Sequence, residues 1–168
     1  GSDGYSGATT RLILSSNPDK NFEGISWAGR VGQYGAGGAN RLLVKFDNLL
    51  QQIPQDATVT GAKLKMYQYL NEGQQTIDVF GLNTSYDPSQ VCWSSPWYDA
   101  GTGQLDRDLD PLSSVVIDSQ NNTWREWDVT EYVRQVQNGD RQNLGLILKA
   151  LNETSGVHSR FKYDNDSN

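Results

Sequence analysis

The residues best able to do chemistry fall in a few short stretches. In AKLKMYQYL, Lys63, Lys65, Tyr67 and Tyr69 alternate with Leu64 and Met66. That row joins ammonium groups to hydroxyl-bearing rings, which suits a ligand with carboxylates and flat, hydroxylated faces. In VCWSSPWYDAG, Trp97 and Tyr98 follow Pro96 and precede Gly101. Aromatics in such a loop either offer flat apolar surface to a sugar ring or cap one end of the fold. Arg160, in GVHSRFK, shares its phase with His158 and Lys162. In LDRDLDPL, Asp106, Asp108 and Asp110 stand at alternate positions. Calcium favours oxygen-rich loops of this kind, although the glycine and the final glutamate of an EF-hand loop are missing. A polar loop, with Asp110 opening a turn before Pro111, uses the same residues without a metal.

Covalent catalysis has little to work with. His158 is the single histidine, so any Ser-His-Asp or Cys-His site must use it. It lies mid-strand on the phase of Arg160 and Lys162 and reads as part of a solvated face. Cys92, the single cysteine, precedes Trp93 in a strand-like run and reads as an inert buried thiol. Among 20 acidic residues no pair stands out as the acid and nucleophile of a glycosidase. The expectation is a protein that is not an enzyme and has no cofactor beyond a structural calcium at the aspartate row.

The elements that must position these residues read as strands. NRLLVKFD puts Leu42, Val44 and Phe46 on one face and Arg41, Leu43 and Lys45 on the other. AKLKMYQYL alternates more cleanly, TIDVFGL, SSVVIDS and TWREWDV follow, and NLGLILKAL is apolar on both phases. In TWREWDV, Trp124 and Trp127 are three apart, so they fall on opposite faces, with Trp127 toward the core. A short strand is expected around Trp27 to Val31, and GVHSRFKYD sets Val157, Ser159, Phe161 and Tyr163 opposite His158, Arg160 and Lys162. DVTEYVRQVQNG predicts one short helix near 130–138, with Thr130 as N-cap, Tyr132, Val133 and Val136 as its apolar stripe and Gly139 as its stop. The fold class is therefore all-β, a β-sandwich in a single domain over 8–168, with 1–7 read as a tag or disordered N-terminus.

The bulk properties narrow the partners. A net charge of −6 argues against nucleic acid, which needs a basic footprint. No apolar run approaches the ~20 residues that span a bilayer, so membrane insertion is not expected. Sequons at Asn83, Asn121, Asn152 and Asn165 are as frequent as chance allows in a chain this rich in Asn, Ser and Thr.

The order of motifs resembles the DNRLRE domain family, related to disaggregatase repeats and to a carbohydrate-binding module group found beside alginate lyases. The matching pieces are SSNPDKNFEG, NRLLVKFDN with IPQDATVTGAKLKMY, VCWSSPWYDAGTGQLDRDLDPLSSVVI, WREWDVTEYVRQVQNG, NLGLILKA and VHSRF, spanning nearly the whole chain. The resemblance implies a jelly-roll-like sandwich on secreted or cell-surface bacterial or archaeal proteins, joined to neighbouring domains, with no catalytic residues. It also implies a core position for Trp93. The family usually has Thr where Cys92 stands. It also continues past the SR motif into a strand opening with Pro, where this sequence reads YDNDSN. That strand is expected to have been cut away or to differ in this member, or to be supplied by another chain or released by cleavage.

Two roles follow. One is a non-catalytic module binding polysaccharide, with an anionic uronate polymer suiting the face that Lys63, Lys65, Tyr67, Tyr69 and Arg160 would make if their strands and that of Arg41 and Lys45 are neighbours. The other is a structural or adhesive surface module with no sugar ligand.

Overall fold

Alternation decides which way each strand faces, and the computed structural model shows what each face meets. It describes residues 7–23, 29–54 and 56–162. Its strands are β1 (Ala8–Leu14), β2 (Gly29–Gln33), β3 (Ala39–Phe46), β4 (Lys63–Glu72), β5 (Gln75–Gly81), β6 (Ser113–Ile117), β7 (Thr123–Asp128), β8 (Leu146–Ala150) and β9 (His158–Phe161). An α-helix, α1 (Thr130–Asn138), links β7 to β8. Trp27 and Tyr163, both read as strand residues, lie outside the described residues.

All ladders are antiparallel. Strands β1, β3, β8, β5 and β6 form one layer, and β2, β9, β4 and β7 the other. A short ladder, Gly32 with Asn40 and Gln33 with Ala39, joins them. The expected all-β, jelly-roll-like sandwich with one short helix is the fold observed.

The two layers share one core. Leu12, Leu42, Val44, Ile77 and Leu148 of the first layer meet Val31, Leu64, Met66, Trp127 and Phe161 of the second. Trp127 is fully buried, and its Nε1 donates across the layers to the Ile77 carbonyl at 2.9 Å. This satisfies the one polar atom of a large apolar ring. Gln75 also bridges the layers, donating through Nε2 to Ser159 Oγ at 2.7 Å. Helix α1 buries Tyr132, Val133 and Val136, the stripe its spacing predicts, and stops at Gly139, whose φ of 80° few other residues adopt cheaply. Its start differs from expectation. Val129 holds the N-cap, and Thr130 is the first helical residue, because its Oγ1 instead accepts from the Ala62 N–H at 2.9 Å.

The first layer is apolar on its outer side too. Ile13, Leu43, Phe80 and Ile147 point away from the shared core, yet all are buried, because the long segment after β5 folds over them with Leu82, Tyr86, Val91 and Trp97. Of the two roles open to Trp97, covering the fold is the one observed, while Trp93 lies outside the shared core and against the second cluster. Trp97 is buried, packs on Tyr86 with ring centroids 5.9 Å apart, and donates Nε1 to the Cys92 carbonyl at 2.8 Å. Trp93, expected in the core, is only partly buried and lies under the Arg41 guanidinium at 4.7 Å. Cys92 is buried, as expected. Trp97→Ala is expected to destabilise the fold by about 3–5 kcal/mol, and Trp124→Ala, on the opposite outer face, by about 1 kcal/mol or less. Thermal unfolding measures both, and equal losses would contradict this division of roles.

Candidate functional site

The outer face of the β2–β9–β4–β7 layer carries no covering segment among the described residues, and side chains project from it in register. Cross-strand pairing places Tyr67 beside Trp124, Lys65 beside Glu126 and Lys63 beside Asp128. It also places Arg30 beside Arg160 and His158 between Gly32 and Glu72. Lys162 follows β9 on the same phase, and its N–H donates to the Tyr67 carbonyl at 3.0 Å. Among the described residues, the cations Arg30, Arg160, Lys162, Lys65 and Lys63 outnumber the acids Glu72, Glu126 and Asp128 on this face, against the acidic balance of the whole chain.

The aromatic centre is a pair. Tyr67 and Trp124 meet edge to face with centroids 5.4 Å apart, and Lys162 Nζ sits 5.7 Å from the Tyr67 centroid. Trp124 is 63% exposed, an unusual state for so large a ring. Alternation put Trp124 opposite Trp127, so its outward position was readable; its partnership with Tyr67 needed the register of β4 and β7.

Lys63 and Lys65 both grip Glu126, at 2.7 and 2.6 Å. Hydrogen bonds from Lys63 and then Lys65 hold the Glu126 carboxyl down at about 2, and the same contact raises Lys63. Both lysines are well exposed and Glu126 is partly so, and the contact therefore adds little to stability. Its effect is to tie two of the predicted ligand-binding cations to an internal carboxylate.

The fourth member of the predicted row, Tyr69, falls at an irregularity in the strand. β4 bulges between Gln68 and Leu70, Tyr69 is the extra residue, and the outward phase resumes at Leu70 and Glu72. Arg160 does lie on the face. Its guanidinium and that of Arg30 stack on Tyr34, at 5.5 and 4.5 Å from the ring centroid. Tyr34 was missed because the glycine-rich stretch around it reads as loop, and Arg30, within the short strand expected around Trp27 to Val31, had no signal tying that strand to this face.

His158 corrects the sequence reading most sharply. It occupies the outward phase but is fully buried, because Tyr34 turns back over it with ring centroids 5.0 Å apart. Burial pushes the imidazole below its ordinary value of 6.5, with Glu72 pulling the other way and Arg160 and Arg30 adding to the depression.

Other expected site residues lie elsewhere. Arg41 and Lys45 point outward from β3, in the other layer, so they do not extend this face. Arg41 is clamped by both carboxylate oxygens of Glu153, at 2.7 and 2.9 Å. Tyr98 is 83% exposed, but it belongs to the segment covering that other layer, as does buried Trp97. The aspartate row does not converge. Asp106 is buried and accepts from Thr84 Oγ1 and from the N–H groups of Tyr98 and Asp99. Asp108 holds Arg141 through both oxygens, at 2.9 and 3.1 Å, while Asp110 is exposed. No group of three or more His, Cys, Asp or Glu able to hold a metal is found among the described residues. The aspartates therefore do not fit a calcium site: they organise the loop.

Fold and face together define a β-sandwich with flat aromatic and cationic chemistry on one open sheet. Residues 12–168 match the sequence profile described as carbohydrate-binding module family 96, and the chain belongs to that family. No curated protein matches the chain. The coarser part of the sequence resemblance, a carbohydrate-binding module, agrees with this assignment.

Carboxyl titration followed by NMR is expected to give Glu126 a midpoint near 2, and the double variant Lys63→Met, Lys65→Met to return it toward the ordinary 4.5. An ordinary midpoint in the wild type would show that the lysines are free.

Proposed function

We propose that this chain is a non-catalytic module that binds an anionic polysaccharide on the outer face of the β2–β9–β4–β7 layer. The observation carrying this is the exposed Trp124, paired with Tyr67 and flanked by Lys162 and the lysine row. A pyranose ring packs its apolar face on an exposed indole, while neighbouring cations take its carboxylates. Arg160 supplies a planar fork for one carboxylate, a geometry lysine lacks. The face is open rather than a cleft, so affinity per sugar is modest and a polymer gains by engaging several positions. Uronate polymers are the substrate class that joins carboxylates to flat rings. The DNRLRE-like motif order supports a parent protein that is secreted or displayed on a bacterial or archaeal surface, with this module beside other domains.

The rival reading, an adhesive surface module without a sugar ligand, draws on Glu126, which occupies Lys63 and Lys65.

Affinity electrophoresis on alginate, polygalacturonate and hydroxyethyl cellulose separates the two. Retardation is expected on the two uronate polymers, weakening with salt, and not on the neutral one. Trp124→Ala and Lys162→Ala are each expected to weaken alginate binding about tenfold, which is ~1.4 kcal/mol. Glu126→Gln is expected to strengthen it by freeing both lysines. Unretarded migration on all three polymers, or a Trp124→Ala variant that binds as well as wild type, contradicts the proposal.

A further inference from the structure

His158 is a polar side chain buried under a binding face, and the proposed binding chemistry does not use it directly. Its Nε2 lies 3.3 Å from Arg160 Nε, which donates to it. An arginine Nε always carries its hydrogen, so Nε2 must be the acceptor and the ring proton must sit on Nδ1. Nδ1 has no hydrogen-bond partner and faces Glu72 Oε2 at 3.8 Å. The groups around the ring are Glu72 from β4, Arg160 from its own strand, Arg30 from β2, and Tyr34 from the turn after β2. Arg160 stacks on Tyr34, and nothing among the described residues bonds its Nη atoms. The guanidinium is thus fixed along one edge while its carboxylate-binding edge is left unused.

We propose that His158 is a positioning residue: its neutral imidazole fixes Arg160 for a carboxylate of the polymer, and its protonation releases Arg160 and weakens binding. The inference rests on the reading of this face as a uronate-binding surface. The second proton must go to Nε2, the atom that accepts from Arg160. That step removes the hydrogen bond and sets a third cation against Arg160 and Arg30, with half-exposed Glu72 as the acidic side chain facing it among the described residues. The direction is fixed by burial. The folded state takes up this proton at lower pH than the unfolded chain, so stability is complete above about 6.5 and falls as pH drops below it. Binding follows the same direction at somewhat lower pH.

The test measures alginate affinity between about pH 7.5 and pH 5 for wild type, His158→Gln, His158→Leu and Arg160→Ala, with imidazole ¹⁵N shifts recorded on the wild type. Glutamine can accept from Arg160 Nε and does not titrate, so it is the conservative rescue. Wild-type affinity is expected to fall about tenfold on acidification. His158→Gln should stay within about twofold of wild type at the upper pH and show no such fall. His158→Leu and Arg160→Ala should be weak at every pH. A His158→Gln variant with the wild-type pH slope overturns the proposal. So does a wild type that binds more tightly on acidification, as simple addition of charge to the face would produce. An Nε2–H tautomer overturns the His158–Arg160 contact whatever the polymer does. The Nδ1–H tautomer with no alginate binding at any pH instead removes the polymer reading, and with it the ligand for which Arg160 is held.

Discussion

The fold turns on an asymmetry between its two layers. Ile13, Leu43, Phe80 and Ile147 make the outer side of the β1–β3–β8–β5–β6 layer as apolar as its inner side. Such a layer cannot face water on either side. The long segment between β5 and β6 must therefore lie on it, bringing Tyr86, Val91 and Trp97 as its cover and fixing itself through buried Asp106. The other layer has a polar outer side, and no segment among the described residues lies across it. The open face is thus the side of the sandwich that has no comparable apolar sheet surface to cover among the described residues.

On the open layer, charge is graded rather than uniform. Glu126 quiets Lys63 and Lys65 at one end. Lys162 and the Tyr67–Trp124 pair occupy the middle, and two guanidiniums stacked on Tyr34 occupy the other end. Exposed ion pairs such as these contribute little to folding, so their arrangement is free to serve recognition. The arginine end is more rigid than the lysine end, because ring stacking and the contact with His158 restrain guanidiniums that would otherwise sample many rotamers.

Much of this was legible in the sequence. The strands, the outward phase of Lys63, Lys65, Tyr67 and Arg160, and the opposite facing of Trp124 and Trp127 follow from alternation, and the helix with its stripe follows from helical spacing. A period of two tells which residues share a face of one strand, but not which layer the strand joins. For that reason Arg41 and Lys45 were grouped with Lys63, although β3 and β4 lie in different layers. The bulge at Tyr69 carries no glycine or proline to announce it, and it leaves Tyr69 without a cross-strand partner in the β4–β9 ladder. His158 was misread, and the role of Trp97 was left open, for a common reason. Each is buried by a loop that folds back, and loop paths are set by tertiary contacts such as Tyr34 on His158 and Tyr86 on Trp97, not by local pattern. The aspartate row shows the converse: regular spacing suggested a shared ligand, while the fold gave Asp106 and Asp108 separate partners.

The central claim is that the uncovered layer, and not the covered one, meets the polymer. The most direct measurement is an NMR titration of the labelled chain with alginate oligosaccharides, following backbone amides and indole N–H groups. The account predicts shifts concentrated at Trp124, Tyr67, Lys162, Arg160 and Arg30, with Trp97, Tyr98 and Arg41 unchanged. Shifts gathered around Tyr98 and the segment covering the other layer would contradict it.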